Sequence, residues 1–167
     1  QEVVNIGESN NSEYTNLSVQ KEEETNLKCH IILDCSKSMR YGEDDGWSKF
    51  DYAATAAASL AFLMQQQQDA ISLITFSNKI EQALKPSSHP SHLKLILHQL
   101  EQMTPERKTD VGEVFLDLAN HVKKRGMVVL FSDLFVDLEH LGKMLEQFRL
   151  RRHEVVVFHV MHDHEID

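Results

Sequence analysis

The stretch Leu27-Lys28-Cys29-His30-Ile31-Ile32-Leu33-Asp34-Cys35-Ser36-Lys37-Ser38 decides the fold. Cys29, Ile31, Ile32 and Leu33 form a short, nearly continuous apolar run that stops at Asp34. A run this dense leaves no side for water, so it predicts a strand buried on both faces of a parallel sheet. Three similar runs follow: Ala70 to Phe76, Met127 to Phe131 and Val155 to Val160. Lys79 to Leu84 predicts a shorter strand paired through a hairpin.

Between these runs the apolar spacing becomes helical. After Ser48, a plausible N-cap, Phe50, Ala53, Ala54, Ala57, Ala61 and Met64 form one stripe. Its many alanines would let the helix lie close to a sheet. Leu93, Ile96, Leu97 and Leu100 make a second face. Val111, Val114, Phe115, Leu118 and Val122 make a third, and Leu138, Leu141, Leu145 and Phe148 a fourth. Gly126 follows the third face, where a helix C-terminal glycine is expected. Strands alternating with amphipathic helices predict an α/β fold, a Rossmann-like three-layer sandwich with a mostly parallel central sheet. The domain is expected over residues 26–167. Residues 1–25 are polar, rich in Asn, Ser and Glu, and are expected to be partly ordered at best. Within them Tyr14, Leu17 and Val19 could form one short edge strand, and Lys21-Glu22-Glu23-Glu24 is expected to be solvated.

Composition narrows the function classes. The 167 residues suit one domain with a core large enough to need no disulfide or structural metal. The formal charge of -9 opposes phosphate backbones and anionic membranes, so nucleic acid is a poor candidate partner. Arg149, Arg151 and Arg152 read as a solvated helix end. No apolar run reaches the roughly 18 residues of a membrane-spanning helix, and no signal peptide opens the sequence. Cys29 and Cys35 would lie roughly 20 Å apart along an extended strand, beyond disulfide reach. Reduced thiols point to a reducing compartment, hence a cytoplasmic protein.

In parallel sheets ligands bind at the carboxyl ends of the strands, near the point where strand order reverses. Three loops are expected to meet there: Asp34-Cys35-Ser36-Lys37-Ser38, Lys108-Thr109-Asp110 and Ser132-Asp133. They gather hydroxyls and carboxylates without imidazole or thiolate, the donor set of a hard cation. Mg²⁺ fits best, with Mn²⁺ close behind. In a turn leaving a strand, alternate residues can point the same way, so Asp34, Ser36 and Ser38 can converge. Neutral hydroxyls bound directly leave the ion electrophilic, and carboxylates held behind water or hydroxyls neutralise it only partly. Such an ion favours an anionic ligand in an open position, for example an acidic side chain of another protein.

The set Asp34-x-Ser36-x-Ser38, Thr109 and Asp133 resembles the metal-ion-dependent adhesion site of von Willebrand factor A domains. The resemblance covers about Val19 to Glu165. Glu23-Glu24-Thr25-Asn26-Leu27, Ser48-Lys49-Phe50-Asp51-Tyr52-Ala53, Thr109-Asp110-Val111-Gly112 and Arg125-Gly126-Met127-Val128-Val129-Leu130-Phe131-Ser132-Asp133-Leu134 resemble the prokaryotic family called domain of unknown function 58. The resemblance implies a von Willebrand factor A-like fold and a non-catalytic, metal-dependent role in binding protein. It also implies an adaptor or assembly factor working with a MoxR-type AAA ATPase or its client. By position, it implies that Ser36 and Ser38 bind the ion directly and Thr109 directly or through water. Asp34 and Asp133 would act through water and hydrogen bonds, leaving the sixth position for a partner carboxylate or water. Lys108 stands where the family often has glycine, placing a positive charge beside the site.

Two other functions compete. A Mg²⁺-dependent phosphohydrolase or phosphotransferase also places an Asp after its first parallel strand. It usually needs a second Asp two residues later, where this chain has Ser36, and neither a phosphate-binding P-loop nor a G-x-S-x-G elbow is present. A metal-free scaffold with a vestigial site is the other alternative, raised by Lys108. Plainer readings apply elsewhere. His162 and His164 alternate near the C-terminus but lack firm zinc or nickel spacing, and Cys35 reads as packing behind the loop. Tyr41 and Trp47 flank the acidic Glu43-Asp44-Asp45 and could rim a binding surface or a flexible loop.

Overall fold

The apolar run of the first strand sits at the centre of the sheet. The structure, a computed structural model, describes residues 27–105 and 112–166. Strands β1 (Lys28–Asp34), β2 (Ala70–Phe76), β4 (Met127–Ser132) and β5 (Glu154–His159) run parallel. Strand β3 (Ile80–Ser87) pairs antiparallel with β2, and the order is β3-β2-β1-β4-β5. The chain leaves β1 towards β2 on one side and later returns to β4 on the other. Strand order therefore reverses beside β1.

Side-chain alternation divides the core between two faces. Cys29, Ile31 and Leu33 of β1 pack with Ala53, Ala57 and Ala61 of α1 (Lys49–Gln66) and with Ile96 and Leu100 of α2 (Pro90–Gln102). Ile32 points the other way. It joins Val114, Phe115 and Leu118 of α3 (Gly112–His121) and Leu141, Met144 and Phe148 of α4 (Leu138–Leu150). The layers are therefore helix, sheet, helix. Phe76, Phe115, Phe131 and Phe148 are fully buried, and each such side chain is worth about 1.5–3 kcal/mol of transfer free energy. The three alanines of α1 carry no bulk and allow the close helix–sheet approach expected of them.

Helix α1 starts where Ser48 predicts. The Ser48 hydroxyl accepts from the Asp51 amide at 3.1 Å, and the Asp51 carboxylate accepts from the Ser48 amide at 2.9 Å. This reciprocal pair satisfies two amides that a helix start leaves open. The expected strand at residues 14–19 lies outside the described residues, as does Val111.

Gly126 departs from its expected role. Helix α3 ends at His121, and Gly126 instead opens β4 against β1. A Cβ there would collide with the backbone carbonyl of Lys28. The glycine serves close strand packing rather than a helix end.

His30 shows how the core satisfies a polar ring. Its Nε2 donates to the Lys124 carbonyl at 3.1 Å, because a carbonyl can only accept, so Nδ1 of the neutral ring accepts from the Ser72 hydroxyl at 2.8 Å. Burial pushes the His30 pKa below its usual 6.5, and burial does the same to His153.

Two outcomes follow from this packing. Gly126→Ala lowers the urea midpoint by an amount equivalent to more than about 1 kcal/mol, since the clash is with backbone; an unchanged midpoint contradicts the close approach. Below pH 6.5 the unfolded chain binds protons that the folded His30 and His153 refuse, so stability present at pH 7.5 declines as the pH falls through 6.5. Urea midpoints at pH 7.5 and 5.5 check this, and His30→Asn shrinks the difference.

Candidate functional site

Asp34 ends β1 at the point where strand order reverses. Its side chain is buried and both oxygens are engaged. Oδ1 accepts from the Ser36 amide at 2.8 Å, and Oδ2 accepts from the Ser132 hydroxyl at 2.6 Å. The first bond bends the chain out of the strand, and the second joins the ends of β1 and β4. Burial raises the Asp34 carboxyl, while the bonds from Ser132 and Ser36 act against that rise.

The turn then brings two hydroxyls together. Ser36 Oγ and Ser38 Oγ lie 3.0 Å apart. The single-turn 3-10 helix Lys37–Arg40 fixes them, with Met39 fully buried beneath as its anchor. Cys35 extends the ladder to β2 through its amide, which donates to Phe76 O at 2.7 Å. Its thiol is buried and its pKa raised by that burial, consistent with packing rather than nucleophilic chemistry. Burial likewise pushes the Cys29 thiol up to about 12.

Asp133 follows Ser132 at the end of β4. Its Oδ1 accepts from the Phe135 amide at 3.3 Å, and its Oδ2 accepts from Lys49 Nζ at 2.9 Å. The same ammonium donates to Glu165 Oε1 at 2.9 Å. The Lys49 side chain is only 1% exposed, and Nζ lies 4.8 Å from the Phe135 ring centroid. A buried ammonium thus joins β4 to the C-terminal 3-10 turn Asp163–Glu165. Burial alone would raise the Glu165 carboxyl, but the His162 amide and Lys49 together hold it below its usual value. The loop leaving the site also holds Leu134 in the left-handed region at φ 55°, a conformation costly for a branched side chain and often found at functional loops.

Four of the five expected metal-site residues therefore lie together at the carboxyl end of the central strands: Asp34, Ser36, Ser38 and Asp133. Thr109 lies outside the described residues, as do Lys108 and Asp110. Two adjacent ligands of an octahedral Mg²⁺, with bonds of about 2.1 Å, lie about 3.0 Å apart. The Ser36–Ser38 hydroxyl separation matches that spacing. Among the described residues no group of three or more His, Cys, Asp or Glu side chains is placed to hold a metal. An ion here would rest on hydroxyls.

Lys49 and Glu165 also lie at this candidate site, and the sequence did not point to them. Lys49 stands 84 residues from Asp133 and 116 from Glu165, and no local pattern connects them. Beside the site, Arg40, Trp47, Phe50, Met103 and Thr104 line an open groove. Trp47 is exposed there, and the neighbouring Tyr41 is exposed too.

Comparison with known proteins agrees with this fold. The chain belongs to the family described as protein of unknown function DUF58, which matches residues 13–167. No curated protein matches it. An aerotolerance-related membrane protein from Bacteroides fragilis is similar at TM-score 0.63 and 18% identity, over 79% of this chain and 66% of that one. The conserved hypothetical protein BatB from Bacteroides thetaiotaomicron is similar at TM-score 0.57 and 17% identity, over 79% and 65%. The vWF domain of the type V pili tip protein Mfa5 from Porphyromonas gingivalis gives TM-score 0.51 and 14% identity, over 65% and 38%. The chain thus spans about two thirds of the first two structures. These likenesses establish a von Willebrand factor A-like fold. Among the described residues no helix is long and apolar enough to cross a membrane.

The Lys49 ion triad gives a stability prediction. Lys49→Met leaves two carboxylates without their counter-ion and costs roughly 3–5 kcal/mol. Adding Asp133→Asn to that variant restores part of the loss, because one stranded charge is removed. Urea denaturation of the two variants tests this; a Lys49→Met protein as stable as the parent contradicts the triad.

Proposed function

We propose that this domain is a non-catalytic, divalent-metal-dependent protein-binding module. Von Willebrand factor A-like folds serve in adhesion and protein interaction, and the observation carrying the finer reading is the 3.0 Å Ser36–Ser38 hydroxyl pair. In this reading the two serines hold Mg²⁺ or Mn²⁺ directly, and Thr109 binds directly or through water. Asp34 and Asp133 act through water and hydrogen bonds. The engagement of both carboxylates supports that division of labour. Asp34 is occupied with Ser36 and Ser132, and the Asp133 charge is matched by Lys49.

An ion held mainly by neutral hydroxyls keeps most of its charge and attracts an anionic ligand. The partner accordingly offers an acidic side chain, and a MoxR-type AAA ATPase or its client is the proposed class. The Ser36 hydroxyl pairs with Ser38 rather than with an imidazole or lysine, which favours binding over nucleophilic catalysis. Buried thiols at Cys29 and Cys35 suit a reducing, cytoplasmic setting.

Calorimetric titration of Mg²⁺ and Mn²⁺ into the full chain should give a single site. Ser36→Ala should weaken it by about tenfold or more. Equal affinity in that variant, or no binding at millimolar metal, contradicts the reading. Phosphomonoester turnover abolished by Asp34→Asn would replace it with an enzyme.

A further inference from the structure

Helix α3 covers β2 at the carboxyl end of that strand, where Phe115 meets Phe76 with ring centroids 5.8 Å apart. Towards the amino end of β2, the same face of the sheet and the end of α3 enclose a cavity of about 900 Å³. That size falls in the range of small-molecule sites. Ile74 and Val122, each 2% exposed, line it together with the half-buried Ile80. The buried Ser72 and His30 line it too, but their protons are already engaged. Ser72 donates to His30 Nδ1, and His30 Nε2 donates to the Lys124 carbonyl. Neither of these two buried polar side chains offers a proton to an inorganic anion.

The rim is basic. Five lysines line the cavity against one carboxylate, Asp117, in a chain whose net charge is -9. Four of them gather at the amino end of the strands. Lys28 opens β1 opposite Ala70, and Lys85 lies two residues before Ser87, which pairs with Ile71. Lys123 and Lys124 lead into β4, where Met127 pairs with Cys29. These two also follow the end of α3, where cations complement the helix dipole. Lys28 and Lys85 belong to strands and have no such role. None of the four forms an ion pair among the described residues. Three separate segments thus direct their cations at one cavity, which distinguishes it from a solvated basic run.

We propose that this cavity binds a small amphipathic anion, an aliphatic chain ending in one carboxylate. The chain lies along Ile74, Ile80 and Val122, and the carboxylate sits among Lys28, Lys85, Lys123 and Lys124. Burial of the chain supplies affinity, and the lysines fix its direction. Among the described residues no Phe, Tyr or Trp lines the cavity, so it offers no such ring on which a nucleobase would stack. The cavity stands at the amino end of the strands, away from Asp34 and Ser36 at the carboxyl end of β1. The inference does not depend on the metal-binding reading.

Amide NMR of the full chain titrated with decanoate tests it, with acetate and 1-decanol supplying the headgroup and the chain alone. Decanoate should shift amides of 72–74, 80–85 and 121–124, with a Kd at least about tenfold below that of either control. Lys85→Glu/Lys123→Glu, both at exposed positions, should weaken decanoate binding by about tenfold or more. Lys85→Gln/Lys123→Gln should weaken it in the same direction by less. Both variants should keep the parent's α1 and β1 spectrum, which shows that they fold. No decanoate binding at millimolar concentration, equal affinity in the charge-reversed chain, or shifts centred on the Trp47 groove overturns the proposal. Acetate binding as tightly as decanoate overturns it as well, since the apolar wall would then contribute nothing. So does 1-decanol binding as tightly, since the lysines would then contribute nothing.

Discussion

The buried carboxylate of Asp34 ties the candidate site to the sheet. It bonds to its own turn through the Ser36 amide and to β4 through the Ser132 hydroxyl, so one side chain fixes the two loops that flank the reversal in strand order. An ionised carboxylate in this position is expensive to desolvate, and only the two short bonds make it tolerable. With Asp34 fixed, the direction of the following turn is fixed too, and the Ser36 and Ser38 hydroxyls face a common point. The site is an extension of the sheet's hydrogen bonding into the loops above it.

Lys49 solves a second electrostatic problem at the same edge. Asp34 and Asp133 are both buried and of like charge, and an isolated pair of this kind would disfavour ionisation. The Lys49 ammonium sits against Asp133 and is held from the far side by Glu165. It reduces the negative charge of the edge without occupying the point between the serines. In the proposed reading, a metal at the hydroxyls would meet one carboxylate already matched, an arrangement that suits partner-completed coordination better than a closed cage. The open groove lined by Trp47 and Phe50 lies next to the site and offers an approaching protein apolar surface.

Much of this architecture was legible in the sequence, for identifiable reasons. The runs at β1, β2 and β4 are dense because those strands are covered on both faces, and density is a local signal. Helix α1 announced itself through Ser48 and the alanine stripe. That Asp34, Ser36, Ser38 and Asp133 would lie at the same end of the sheet was legible because strand ends in a parallel sheet must meet. Gly126 was misread because a glycine after a helical stripe fits a C-cap locally, while its real constraint is the Lys28 backbone of another strand. Lys49 was invisible because a lysine after an N-cap ordinarily points to water, and its partners lie far along the chain. The pairing of Ser132 with Asp34 spans 98 residues and was hidden for the same reason. The apolar run of β5 was read as a covered strand, whereas among the described residues it is the outermost strand, with half-exposed side chains.

The central claim is that the Ser36–Ser38 hydroxyl pair is the seat of a divalent cation. Paramagnetic broadening by substoichiometric Mn²⁺ in amide NMR spectra of the full chain measures that location directly. The account predicts that amides of 35–39 and 132–134 broaden first, and that excess Mg²⁺ restores them. Broadening centred instead on His162 and His164, or spread evenly over the acidic surface, would contradict it.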